Sequence, residues 1–302
     1  MPFRFYFFFI FITLITLSYP GYDIFYNIIS FDRKSFVAEA SRAPIKIHPI
    51  PVVNSNSEID ISAQGIYIVE LDSFTPIFER NSHKKFFPAS TTKIITALVA
   101  ADLYGPDEII TIKNVMQEGQ VMGLIPSEKI TAENLMYGIL VHSGNDAAYA
   151  LAENYGYDAF IKRMNEKAKE LGMIDSHFTN PAGLDNSKQF SSPFDLAIAG
   201  RKLLKNSYLR KMVGTKEIII SDVDYKVFHT LTNVNRLLGE IQGLGGLKTG
   251  YTENAGENLV SFYRHQEHDY VIVVMNSEDR FADTSSIVQW IQSNVRYINP
   301  EI

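Results

Sequence analysis

The 302-residue chain contains no cysteine. That absence excludes a disulfide framework, a thiol nucleophile and a zinc site built on thiolates. It leaves an exported protein that needs no disulfides fully possible. Excess positive charge is also missing. The net charge is −6, and no stretch of lysine and arginine is dense enough to track a phosphate backbone, so no nucleic-acid partner is expected. There is no internal repeat and no low-complexity segment. Several catalytic signatures are absent too: no G-x-S-x-G elbow, no H-E-x-x-H pair and no cluster with zinc-ligand spacing. No metal and no cofactor are therefore expected. His265-Gln266-Glu267-His268 carries metal-like residues, but it falls in a polar turn between strands and reads as solvated. Gly243 to Gly250 is rich in glycine yet fits neither nucleotide motif. Leu247 stands where a phosphate loop needs glycine before its lysine, and Lys248 occupies the third glycine of a dinucleotide fingerprint.

The length allows one large domain or two ordinary ones, and 46% hydrophobic with 21% charged residues is an ordinary globular balance. Phe3 to Tyr19 is a nearly unbroken apolar run, interrupted by Arg4, two threonines and Ser18. It is near the lower limit for spanning a bilayer. Ser18-Tyr19-Pro20 is a poor cleavage site, so residues 1–20 are expected to be an uncleaved membrane anchor rather than a removed signal segment. Arg4 and the terminal amine favour a cytoplasmic N-terminus, which places the rest outside. Residues 21–59, with Pro44, Pro49 and Pro51, read as an extended tether.

The globular part is expected over residues 60–302. Short strands are predicted around Ile66–Val69 and Pro76–Phe78. Helices follow at about 89–103, 131–142, 146–155, 157–171 and 193–205. Gly172 sits where a C-cap belongs, and Ser192-Pro193-Phe194-Asp195 resembles a capping box with proline at the first helical position. Strands return at 247–251, 258–263 and 270–275, and a helix over 282–297 closes the chain. Strands at both ends and helices between them predict an α+β fold: one sheet from the first two and last three strands, faced by helices, with a helical lobe inserted. A cleft between sheet and lobe is the natural place for a site.

Three segments carry chemistry. Ser90-Thr91-Thr92-Lys93 puts a hydroxyl and an amine one helical turn apart. Lys93 can act as a base only if burial and neighbouring cations remove its charge, and Lys248 is a candidate cation. Ser143-Gly144-Asn145 adds a second hydroxyl, able to relay a proton, and an amide able to hold a carbonyl. Lys248-Thr249-Gly250 reads as an edge strand whose Lys248 and Thr249 bind a carboxylate, while Gly250 leaves room for an extended peptide. His142 adjoins Ser143, but adjacent residues rarely face each other, so it reads as a helix-end histidine. Each segment alone has an ordinary explanation as caps and turns. The three in this order form a serine acyl-transfer kit that needs no histidine, metal or thiol.

At these residues the chain resembles the penicillin-recognising serine enzymes, and within them the low-molecular-mass D-alanyl-D-alanine carboxypeptidases. Phe87 to Ile94, His142 to Ala148, Thr179 to Asp185 and Gly246 to Thr252 all read like that family, and the resemblance covers about residues 60–280. It implies the β-lactamase/transpeptidase-like fold, a five-stranded antiparallel sheet flanked by helices plus a helical lobe. It also implies that Ser90 attacks the bond between the last two D-alanines of a peptidoglycan stem peptide, with Lys93 as base and Ser143 passing a proton to the leaving group. The N–H groups of Ser90 and Tyr251 would form the oxyanion hole. Asn145, Lys248, Thr249, Gly250 and Tyr251 would line the substrate site, and β-lactams would acylate Ser90. Many relatives carry a C-terminal β-domain and an amphipathic membrane helix; here an N-terminal anchor is expected in their place. Three other readings share the motifs: a D,D-endopeptidase cutting cross-links, a β-lactamase, and a non-catalytic β-lactam sensor or wall-binding domain. Glycine in Ser143-Gly144-Asn145, where class A β-lactamases carry aspartate, argues against the β-lactamase.

Overall fold

The computed structural model describes residues 2–17, 49–53 and 58–298, and the chain divides into two compact units at residue 47. The first unit contains α1 (Pro2–Leu17), whose side chains from Arg4 to Ile15 are exposed. No helix among the described residues is long and apolar enough to cross a membrane. The end of the expected anchor, at 18–20, and most of the expected tether, at 21–48 and 54–57, lie outside the described residues. Among the tether's described residues, Ile50–Val53 form strand β1.

In the second unit β2 (Gly65–Glu70) and β3 (Pro76–Arg80) precede a 3₁₀ turn at Ala89–Thr92 and α2 (Lys93–Leu103). A ribbon of β4 (Ile109–Thr111) and β5 (Lys129–Thr131) leads into α3 (Ala132–Leu140), α4 (Asn145–Tyr155) and α5 (Tyr157–Leu171). Next come α6 (Pro193–Lys205), α7 (Ser207–Val213) and a second ribbon, β6 (Glu217–Ser221) with β7 (Phe228–Thr232). The chain closes with β8 (Leu244–Thr252), β9 (Gly256–His265), β10 (His268–Ser277), α8 (Arg280–Asn294) and β11 (Val295–Ile298).

The main sheet has the order β3-β2-β10-β9-β8, antiparallel throughout. This is the sheet expected from the first two and last three strands of the domain. Both of its faces are covered, which explains why β2 and β10 are continuous apolar runs rather than alternating ones. Along β2, Ile66 and Ile68 join a core with Ile287, Val288, Trp290 and Ile291 of α8, while Tyr67 and Val69 face the helical side. The same period-two division runs along β10, with Ile272 and Val274 on one face and Val271, Val273 and Met275 on the other. Helix α2 is buried from Lys93 to Ala100, so its unbroken apolar run marks the centre of the helical lobe.

Caps fall where their residues predict. Gly172 adopts φ 79° after α5, and the Ser192 side chain accepts the Asp195 N–H at the start of α6. The capping box is only half closed, because the Asp195 carboxylate turns instead to the Asp175 N–H and the Ser176 hydroxyl. The last helix ends at Asn294, short of the predicted Tyr297. Beyond it, β11 pairs antiparallel with β1 (Val53 opposite Val295 and Ile50 opposite Ile298). Val295 and Tyr297 pack on the sheet–α8 core, which rewards an extended chain with alternating faces over one more helical turn.

Asp283, in the first turn of α8, ties the segment entering β2 to the end of the neighbouring strand β10. Its carboxylate accepts from the N–H of Ser62 at 3.0 Å, the N–H of Ala63 at 2.9 Å, and the hydroxyls of Ser62 at 2.8 Å and Ser277 at 2.6 Å. Removing it strands several buried donors at once. Asp283→Ala is expected to lower the unfolding free energy by about 2–4 kcal/mol, read as a lower urea midpoint at unchanged m. A shift of a few tenths of a kcal/mol would show that the clamp is dispensable.

Candidate active site

The expected helix over 89–103 begins as a 3₁₀ turn, and this sets the reactive pair. In such a turn residues i and i+3 eclipse, so Ser90 and Lys93 share one face. The Lys93 ammonium is completely buried and donates to three acceptors: Ser90 Oγ at 2.8 Å, Asn145 Oδ1 at 2.7 Å and the Ala182 carbonyl at 2.8 Å. Burial is the main cause that lowers its pKa to about 7, and the Asp146 carboxylate opposes the shift. A neutral amine keeps two hydrogens and gains a lone pair. Asn145 Oδ1 and the Ala182 carbonyl can only accept, so they retain the two hydrogens. The lone pair is then left facing the Ser90 hydroxyl, the geometry a general base needs.

Each partner is itself held. The Asn145 amide is oriented by its own Nδ2, which donates to the Glu118 carbonyl at 2.7 Å, and its backbone N–H donates to the Gln120 carbonyl at 2.7 Å. Ala182 lies in the loop between α5 and α6, where Asn180 Oδ1 accepts the N–H groups of Ala182, Gly183 and Leu184. Gly183 has φ 91°, and a Cβ there would fall 1.8 Å from the Ala89 carbonyl oxygen. Glycine is required at that contact.

Ser143 sits buried in the turn between α3 and α4 at φ 64°. Gly144 occupies the N-cap of α4 and makes no side-chain cap, so neither Ser143 nor Asn145 is spent on capping. Ser143 lines the same cleft as Ser90 but is not among the three acceptors of Lys93. The relay expected of it therefore requires a bound substrate to bring the groups together. His142 points elsewhere, to the Gln120 side chain at 2.8 Å.

The third segment lies on edge strand β8. Gly246 pairs with Ser261 and Lys248 with Val260, so Leu247 is an extra residue and the bulge falls immediately before Lys248. Bulges of this kind re-aim the following side chain. Lys248 is buried and donates to the Thr249 carbonyl at 3.0 Å. Its pKa is pushed well down, first by burial and then by the Lys93 and Arg280 cations. Lys93 thus disfavours the charge on Lys248, whereas at Lys93 itself burial lowers the pKa in place of the Lys248 cation expected from sequence. Gly250 lines the cleft and has a second reason besides the one expected. A Cβ there would sit 3.0 Å from the Pro88 carbonyl and the Ser90 nitrogen, so glycine also lets β8 pack on the serine turn. Thr249 is buried and Tyr251 exposed, and both line the cleft.

Arg280 is absent from the predicted set. It stands in the first turn of α8, donates to the Gly250 carbonyl at 2.7 Å and lines the cleft beside Thr249. A cation in the first turn of a helix opposes the helix dipole, and that anomaly is the one sequence signal that marks it. The cleft has a volume of about 500 Å³ and brings Ser90, Ser143, Asn145, Thr249, Gly250 and Tyr251 to one wall system, with Lys93 and Lys248 buried beneath.

Residues 52–279 match the family described as D-alanyl-D-alanine carboxypeptidase. Among curated proteins, the chain is 36% identical over 208 residues to the D-alanyl-D-alanine carboxypeptidase DacF of Bacillus subtilis, covering 66% of this chain and 53% of that protein. It is 32% identical over 234 residues to DacD of Salmonella typhimurium, covering 71% of this chain and 58% of that protein. The chain thus spans little more than half the length of these two relatives. Among solved structures, a Streptomyces DD-transpeptidase superposes with a TM-score of 0.73 at 29% identity, covering 78% of this chain and 99% of that one. The carboxypeptidase DacD of Francisella tularensis gives 0.73 at 26% identity, covering 80% and 73%.

The Lys93 pKa of about 7 makes a signed prediction. Acylation of Ser90 by a serine-directed reagent requires the neutral amine, so its rate should fall about tenfold per pH unit well below pH 7. Lys93→Arg, whose side chain stays charged, should abolish the reaction. A rate that is level from pH 5 to 8 by intact-mass kinetics would remove Lys93 from the base role.

Proposed function

The chain belongs to the D-alanyl-D-alanine carboxypeptidase family, and we propose that its 58–298 domain removes the terminal D-alanine from peptidoglycan stem pentapeptides through an acyl-enzyme on Ser90. The observation that carries this reading is the polarity of the cleft: a base aimed at Ser90 on one side, and on the other two basic groups, Lys248 and Arg280, able to receive an anion. A peptide ending in a free carboxylate fits between them in one orientation, its last amide bond over Ser90.

In this reaction Ser90 Oγ attacks the carbonyl of the penultimate residue while Lys93 takes its proton. The oxyanion forms between the N–H groups of Ser90 and Tyr251, donors that need no reorganisation as charge develops. Ser143 passes a proton to the departing D-alanine amine. Water then releases the shortened peptide from Ser90. Thr249, Lys248 and Arg280 receive the substrate carboxylate, and its arrival favours the protonated form of Lys248 that burial disfavours in the free protein. A β-lactam places a strained amide and a carboxylate at the same spacing, and so acylates Ser90.

Release of D-alanine from a muropeptide pentapeptide should depend on Ser90, with Ser90→Ala silent and folded. The same peptide with a C-terminal amide should be a much poorer substrate. Equal turnover of acid and amide would overturn the carboxylate role, and loss of cross-linked dimers without free D-alanine would replace the carboxypeptidase with an endopeptidase.

The reading also includes attachment of the domain to the outer face of the cytoplasmic membrane by the N-terminal apolar segment. Its support is the nearly unbroken apolar run of α1 and its single basic residue, Arg4, at the N-terminal end. Full-length protein should stay with membranes through a carbonate wash, whereas a chain starting at residue 48 should wash off. Release of both would remove the anchor.

A further inference from the structure

His229 is buried on the inner face of β7 and takes no part in the reaction above. Its two ring nitrogens meet two acceptors. Nε2 lies 2.7 Å from Glu128 Oε1, and Nδ1 lies 3.2 Å from the Met122 carbonyl. A carbonyl cannot donate, so Nδ1 carries a proton; with Glu128 ionised, Nε2 carries one as well, and the ring is an imidazolium. The Glu128 bond is the main cause that raises its pKa, against the opposing effect of burial. The charged groups facing the ring are Glu128, from the turn ahead of β5, and Asp146, from the first turn of α4. Across the ribbon, β6 sets the apolar Ile220 opposite it.

What the imidazolium holds is a wall of the cleft. Residues 118–120 line the cleft directly, and their carbonyls grip Asn145, the residue that accepts from Lys93. Two residues further on, the Met122 carbonyl is bonded to His229, and the Met122, Gly123 and Leu124 N–H groups are bonded to the Asp146 carboxylate. The Ile125 N–H ends on Glu128 Oε2. The wall is therefore fixed by two buried carboxylates and one buried cation, and the cation connects it directly to β7, where Gln120 reaches Thr232 only through the exposed His142. We propose that His229 is a positioning residue: its imidazolium clamps the 118–125 wall, keeps Asn145 in the orientation that Lys93 needs, and loosens both when its proton leaves. The inference rests on the peptidase reading only for its consequence, not for its geometry.

Linkage fixes the sign. A histidine whose pKa is raised in the folded protein holds its clamp below that pKa and loses it as pH rises through it. The rate constant for Ser90 acylation by penicillin should therefore be bell-shaped, with the acid limb from Lys93 and an alkaline limb from His229. The experiment follows acylation against pH in the whole chain and, in parallel, the His229 ring resonances. The expected result is that the alkaline midpoint coincides with the His229 titration and lies above the ordinary histidine value. His229→Gln, which supplies one neutral donor, should keep the acid limb and lack the alkaline one. Its rate should be lower by on the order of tenfold, short of the hundredfold that a 1 Å misplacement can cost. Glu128→Gln should move the alkaline limb to lower pH. A merely structural histidine would lower the rate and leave the profile's shape unchanged, and that result would overturn the proposal. So would a His229 titration that does not coincide with the limb, a measurement on the unaltered protein that stands even if His229→Gln does not fold. Penicillin acylation without D-alanine release would count against the peptidase reading alone.

Discussion

The Lys93 amine is buried among uncharged partners only, and three segments distant in sequence must converge to supply them: the 3₁₀ turn at Ser90, the start of α4 at Asn145, and the α5–α6 loop at Ala182. A carboxylate in any of those places would bind the ammonium form and raise its pKa, and the base would be lost. The one nearby acid, Asp146, has its carboxylate engaged by the N–H groups of Met122, Gly123, Leu124 and Ala147. Those bonds draw its charge toward the wall of the cleft and away from Lys93. Neutral acceptors support the amine without choosing its protonation state, which is what a base near neutrality requires.

The same economy leaves around the cleft three buried basic groups whose charged forms are disfavoured. Lys93, Lys248 and Arg280 lie close together and all have lowered pKa values, chiefly through burial. The acid that approaches Arg280, Glu257, stands 3.8 Å from its Nε. Burial without a close anion disfavours the charged forms of these groups, and an anion that binds beside them restores those forms. On the proposed reaction the missing anion is the substrate carboxylate. The electrostatic mismatch of the free protein then becomes selectivity for a peptide with a free C-terminus.

Local patterns made the reactive pieces legible. The apolar run after Lys93 announced a buried helix, and the glycine and lysine of β8 announced an edge strand beside a cleft. The strand set of the main sheet followed from apolar runs bounded by turns, because a doubly covered sheet writes continuous hydrophobicity into its sequence. What stayed hidden depends on pairing over long separations. Nothing local says that Val295–Ile298 leaves the helix to meet Ile50–Val53, nor that the carbonyl of Ala182 finds Lys93. His229 was invisible for the same reason. Its partners Glu128 and Met122 are about a hundred residues away, and an isolated histidine in a short polar-alternating strand carries no sign of them. Arg280 was a near miss, since only its unfavourable place on the helix dipole sets it apart.

Backbone geometry shows how tightly the two lobes are coupled at the serine. Ala89 and Ser143 are both non-glycine residues in the left-handed region, at φ 48° and φ 64°; Ala89 adjoins Ser90, and Ser143 is itself part of the site. Such conformations persist only where the surroundings over-determine them. Around Ala89 the surroundings are visible. The α5–α6 loop presses on its carbonyl at Gly183, and β8 lies against its methyl group at Gly250. A loop of the helical lobe and the edge strand of the sheet therefore grip the same turn from two sides. Any change that widened the gap between them would release the strained turn, withdraw the Ala182 carbonyl from Lys93 and separate Ser90 from Tyr251 together. The fit between lobe and sheet is thus not a support for the site but the site itself, and small residues at positions 183 and 250 are the condition for that fit.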